Sequence, residues 1–87
     1  MNIDYSKSFD RQFAKLSRRQ KQLAMDAIEL FIDSPFDDSL RNHPLKDRWV
    51  DYRSITADDD LRLHFRVINE DTSLFVAVGT HDQLYGQ

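Results

Sequence analysis

An α+β fold, a small antiparallel-rich sheet with a two-helix hairpin packed on one face, is predicted by three stretches of this sequence. Leu61, Leu63, Phe65 and Val67 alternate with Arg62, His64 and Arg66, the period of a half-buried strand. Leu74 to Val78 is an unbroken apolar run ahead of Gly79, as a strand buried on both faces requires, so it belongs at the centre of the sheet. Leu23, Ala24, Ala27, Ile28, Leu30, Phe31 and Ile32 make a broad apolar stripe at helical spacing. The expected order is strand, helix, helix, then a meander of three strands and a short tail.

The elements follow in order. Ile3 and Tyr5 alternate with polar neighbours and predict a short first strand. Phe9, Phe13 and Leu16 recur at helical spacing from about Ser6. Ser17 stands three residues before Gln20, the pattern of a capping box, and opens the second helix, which Ser34-Pro35 closes because a residue before proline is pushed out of the helical region. The basic residues Lys15, Arg18, Arg19 and Lys21 cluster at the joint, where they suit a solvated turn as well as a contact to RNA or a partner. Phe36 to Lys46 is irregular, anchored by Leu40 and Leu45 and stiffened at His43-Pro44. Trp49 to Ile55 is expected to be a strand, Ala57 to Asp60 the turn out of it, and Ile68 to Asp71 the hairpin into the central strand. Both helices should cover the face of Leu63, Phe65 and Val67, leaving the face of Arg62, His64 and Arg66 bare.

Composition limits the classes of function. At 87 residues the chain has room for one small domain, expected over 1–87, and 40% apolar with 31% charged residues is ordinary globular material. Without cysteine it has no disulfide or thiolate zinc site, which fits a reducing, cytoplasmic location. No apolar run reaches membrane length, and Met1 to Tyr5 lacks the basic and hydrophobic parts of a signal peptide. The net charge of −3, with ten acidic against six basic residues from Pro35 onward, argues against gripping nucleic acid by charge alone. Any RNA contact there must be local.

The residues that could do chemistry gather late in the chain. RNA can be cut without a metal by a base for the ribose 2′-OH, a cation for the charge growing on phosphorus and an acid for the leaving 5′-oxygen. His43 and His81 are the candidates for proton transfer, Asp60 for orienting a histidine or sharing the base role, and Arg62 or Arg66 for the phosphate clamp. Tyr85 could stack on a base or hydrogen-bond the phosphate. Arg53 and His64 join the substrate-binding candidates. The same residues also suit blander roles: Arg62, His64 and Arg66 a solvated strand face, and 79–86 a polar tail whose Leu84 and Tyr85 dock on the core. Asp58-Asp59-Asp60 is more a solvated turn than a metal site, since adjacent acids point apart, and no metal or other cofactor is expected. Glycine-rich phosphate loops and zinc signatures are absent from the sequence.

Asn42-His43-Pro44-Leu45, Trp49-Val50-Asp51-Tyr52-Arg53, Asp60 with its strand, and Gly79-Thr80-His81-Asp82-Gln83-Leu84-Tyr85-Gly86 resemble, in order and spacing, the YafQ-like branch of the RelE superfamily of bacterial toxins. The resemblance is close over the second half and one of pattern over the helices. It implies the toxin of a type II toxin–antitoxin pair, an mRNA interferase that cuts messenger RNA on the ribosome, held inactive by a cognate antitoxin and meeting DNA only through it. It puts His43, Asp60 and His81 at acid–base positions, Tyr85 at an aromatic position that is usually Phe, and Arg62 where the RelE branch has a phosphate-binding arginine. Two features depart from it: Ser54 and Thr56 stand where the branch carries an acid and a histidine, and the chain is not basic. They leave open a second reading, a weakened module of the same fold that serves to bind an antitoxin or repressor.

Overall fold

The apolar run near the end of the chain forms an interior strand of a five-stranded mixed sheet, second from one edge and not at the centre where it was expected, in the computed structural model, which describes residues 1–85. In chain order the elements are β1 (Asn2–Tyr5), α1 (Lys7–Ala14), α2 (Arg18–Asp33), a 3-10 turn at Asp38–Leu40, β2 (His43–Pro44), a second 3-10 turn at Asp47–Trp49, β3 (Arg53–Thr56), β4 (Leu61–Asn69), β5 (Thr72–Thr80) and α3 (His81–Tyr85). The strand order is β1-β5-β4-β3-β2, with β1 parallel to β5 and the other pairs antiparallel. Gly86, part of the closing segment considered above, lies outside the described residues. Among those described, no helix is long and apolar enough to cross a membrane.

Local chemistry starts each helix. Ser6 caps α1 by accepting from the Phe9 amide. At α2 the capping box forms as expected: Ser17 Oγ accepts from the Gln20 amide, and Gln20 Oε1 accepts from the Ser17 amide. α1 is then tied to β5 by side chains. Ser8 Oγ donates to the Val76 carbonyl at 2.7 Å and Gln12 Oε1 accepts from the Val78 amide at 2.9 Å. The first tie answers a local need, because the β4–β5 register slips at Val76, from His64 opposite Ala77 to Phe65 opposite Phe75, and a bulged residue loses its ladder partner. α2 buries Ala24, Ala27, Ile28 and Phe31, and the Phe31 ring meets Phe65 at 4.8 Å and Phe75 at 5.4 Å, both edge-on. That aromatic cluster is the middle of the core.

Three other expectations need correction. Trp49 to Ile55 is not one strand: Asp47 and Asp51 sit at φ 57° and 77°, in the left-handed region that interrupts extended chain, and β3 begins only at Arg53. Residues 46–51 instead make a turned excursion, closed by a hydrogen bond from the Leu45 amide to the Tyr52 carbonyl. Val67 is 55% exposed although it shares the face of Phe65, because β4 extends beyond the helices that cover its first half. Most important for function, the face expected to be bare is covered at its centre, where His64 has no exposed surface.

Candidate active site

Paired residues on neighbouring strands share a face, so the register determines which side chains meet. His43 on β2 pairs with Ser54 on β3, Ser54 with His64 on β4, and His64 with Ala77 on β5. Two residues along, Thr56 pairs with Arg62 and Arg62 with Gly79. These two rows lie on the face opposite Ile55, Leu63 and Val78, which belong to the core.

Two segments close over the rows. The 46–51 excursion brings Trp49 to the His64 ring, centroids 4.5 Å apart and nearly perpendicular. α3 folds down from the end of β5, burying Leu84 and setting the Tyr85 ring 5.5 Å from His64, with Tyr85 Oη 3.5 Å from His64 Nε2. The two covers are joined to each other by Arg48, whose guanidinium donates to the Leu84 carbonyl at 3.2 Å. α3 has a capping box of its own: Gln83 Oε1 accepts from the Thr80 amide and Thr80 Oγ1 from the Gln83 amide. Gly79 leaves room for it, since a Cβ there would stand 2.8 Å from Gln83 Oε1. Thr80 and Gln83 show the same spacing as Ser17 and Gln20, the signal in the sequence that could have revealed this helix start.

Around that covered centre stand the expected participants. His81 opens α3, exposed, and packs on Tyr85 one turn later with ring centroids 4.5 Å apart. Its Nδ1 is 3.9 Å from the Asp82 carboxylate. His43 is exposed at the sheet edge, and its Nδ1 donates to the Arg41 carbonyl at 2.7 Å, so Nε2 is the nitrogen left to face solvent. Arg62 is half-buried, with one guanidinium nitrogen donating to the Asp58 carbonyl and no other side-chain hydrogen bond to the described residues. Asp60 is exposed and lies one position before Leu61, which pairs with Thr80, the residue before His81; the two chain segments therefore bring Asp60 and His81 to the same end of the sheet.

Burial and nearby charge set the state of the imidazole at the centre. Burial, followed by the charges of His43, Arg62 and His81, pushes the His64 imidazole down to about 4. A proton there would sit in low dielectric near the Arg62 guanidinium, so His64 is neutral near neutral pH. Burial pushes the Tyr85 phenol up, while Arg62 acts in the opposite sense.

Two expected residues lie elsewhere. Arg53 pairs with Phe65 on the helix-bearing face, where its guanidinium donates to Asn42 Oδ1 at 2.8 Å and lies 5.5 Å above the Phe36 ring. Arg66 is on the face of His64 but further along β4, exposed beside Pro44, Tyr52 and Val67. Ser54 and Thr56 fall inside the rows, beside His64 and Arg62. The described residues include no cluster of three or more His, Asp or Glu side chains arranged to hold a metal ion.

The family model for the YafQ toxin, a bacterial toxin of type II toxin–antitoxin systems, matches residues 1–86. Among solved structures, YafQ from E. coli strain BL21(DE3) is 24% identical and superposes with a TM-score of 0.83, covering 98% of each chain. The toxin in the E. coli DinJ–YafQ toxin–antitoxin complex is 22% identical with a TM-score of 0.80, covering 98% of this chain and 97% of its own. A YoeB/ParE toxin from Agrobacterium tumefaciens is 19% identical with a TM-score of 0.76, covering 93% and 99%. No curated protein matches the sequence. The solved structures share the fold; the family model covers nearly the whole chain.

Proposed function

Because the chain belongs to the YafQ family of type II toxins, we propose that it is an endoribonuclease that cuts messenger RNA on the ribosome, using the ribose 2′-OH and no metal. The observation that carries this reading is geometric: the rows His43-Ser54-His64 and Thr56-Arg62-Gly79 share one face of the sheet, and α3 brings Tyr85, with His81 packed on it, to His64 on that face.

In the proposed reaction His43 is the base. Its Nδ1 proton is held by the Arg41 carbonyl, so the neutral ring presents a lone pair at Nε2 to the 2′-OH. The 2′-oxygen attacks phosphorus, the bond to the 5′-oxygen breaks, and His81, protonated, gives its proton to that leaving oxygen. A 2′,3′-cyclic phosphate and a free 5′-hydroxyl result. Arg62 stabilises the charge on the phosphoryl oxygens, and Tyr85 stacks on a neighbouring base. Asp60 orients His81 from the turn beside it. Arg66 meets the RNA backbone further along the groove. Arg53, engaged on the other face, supports the fold of the His43 loop instead of touching RNA. A cognate antitoxin is the expected partner, by analogy with the DinJ–YafQ complex of E. coli.

The test is cleavage of message by purified ribosomes, comparing the native chain with His43→Ala and His81→Ala. Loss of either proton-transfer group should slow cutting by about 10² to 10⁴. Intact message with the well-folded native chain, or full-rate cutting by His81→Ala, would refute the reading. The second reading, a module that binds an antitoxin without cutting, is favoured by Ser54: it puts a buried hydroxyl between His43 and His64, where an acid would charge the site. It predicts tight antitoxin binding that survives loss of both His43 and His81.

A further inference from the structure

His64 has no proton-transfer or phosphate-binding part in the proposed reaction, yet Ser54, Trp49 and Tyr85 close around it. Its side chain is fully buried, on a strand position whose period-2 pattern marks it as outward-facing. Burying a polar ring costs free energy unless something uses it. Its Nε2 faces the Tyr85 hydroxyl at 3.5 Å, and Tyr85 in turn carries the His81 ring at 4.5 Å.

We propose that His64 is a positioning residue: its Nε2 accepts the Tyr85 hydroxyl and so fixes the phenol ring against which His81 packs, a role that rests on the nuclease reading above. The choice of nitrogen follows from the surroundings. The atom that Nε2 faces is a phenol hydroxyl, a donor to a ring nitrogen that carries a lone pair. The proton then belongs on Nδ1, which is buried without a partner among the described residues, as are Ser54 Oγ directly across the ladder and Trp49 Nε1 in the ring packed on His64. Ser54 Oγ is the acceptor among these.

The contact matters because α3 is only five residues long and is anchored by few groups: its capping box, Leu84, and the Arg48 bond to the Leu84 carbonyl. A phenol pinned at its far end stops the helix from rolling. The His81 ring, 62% exposed at its side chain, then has one wall instead of none. Positional error of even 1 Å in a proton donor costs about 100-fold in rate.

Three variants and one spectrum test this. In nitrogen-resolved NMR of the native protein at neutral pH, the His64 ring should show the proton on Nδ1 and a bare Nε2, and Tyr85→Phe should shift the Nε2 signal most. Message cleavage should fall about 10- to 100-fold in kcat for His64→Leu, with KM little changed. His64→Gln, whose side-chain amide can place an oxygen near the Nε2 position, should recover most of that loss. In a Tyr85→Phe background, His64→Leu should cost nothing more. A proton on Nε2, a His64→Leu variant that cuts like the native protein, or additive losses from the two substitutions would overturn the proposal. If the native chain leaves message whole, the nuclease reading falls, and the ring spectrum still decides whether His64 holds Tyr85. If His64→Leu does not fold, the Gln variant and the native spectrum carry the decision.

Discussion

Lowering the pH from 7.5 to 5 should destabilise the protein by about 2 kcal/mol through His64 alone. The unfolded imidazole takes up a proton near 6.5, whereas the folded one resists it until about 4. This stabilisation is complete above the unfolded value and is lost as pH falls through the folded one, reaching about 3 kcal/mol at the acid limit. Because the His64 side chain has no exposed surface, solvent screening does not dilute the effect. For a domain of this size, 2 kcal/mol is about 10 °C in Tm. The assay is built in: Trp49 packs on the His64 ring, and urea unfolding can be followed through its fluorescence at both pH values. The comparison is with His64→Leu, which keeps every other titrating group, so the difference between the two pH dependences isolates this imidazole. If native protein and variant lose the same stability between pH 7.5 and 5, His64 is not buried as a neutral ring and the physical account of the site fails.

Other perturbations separate the site from its scaffold. Gly79→Ala forces Gln83 Oε1 away from the Thr80 amide, which should cost about 1 kcal/mol in urea unfolding and loosen α3, reducing cleavage as well. Ser17→Ala breaks the α2 capping box and should cost a similar amount, about 1 kcal/mol, with cleavage per folded molecule unchanged. Arg62→Ala should weaken cleavage by about 10² with little loss of Tm, whereas Arg53→Ala should lower Tm and leave kcat alone; the opposite pattern would put the phosphate clamp on the wrong face. Phe31→Ala empties the ring cluster shared with Phe65 and Phe75 and should cost about 3–5 kcal/mol, enough to unfold much of so small a domain.

What could be read from residue order was local or periodic. Ser17 and Gln20 define a helix start within four residues, and the run from Leu74 to Val78 carries its own burial, so α2 and β5 were legible. The excursion at 46–51 was not, because Trp49, Val50 and Tyr52 are strand formers and the break comes from two aspartates adopting a left-handed backbone that many residue types only rarely take. Val67 misled for a related reason: alternation reports a face, not how far the covering helix extends. His64 is the deepest case. Its neighbours on β4 mark it as polar and outward, and only segments from either side of it in sequence, Trp49 before and Tyr85 after, make that outward position an interior. Arg53 was placed in the site by its motif and removed from it by parity, one residue from Ser54.

The pairing of β1 with β5 also has a consequence in time. Asn2 to Tyr5 lie against Thr72 to Phe75, and the hydroxyls that start α1 are tied to Val76, so these segments have no partner until a strand far along the chain is present. A growing chain has neither β5 to assemble on nor His81 until that strand has been made. Joining segments so far apart costs loop-closure entropy, so β1 should dock late, after the local β4–β5 hairpin has formed.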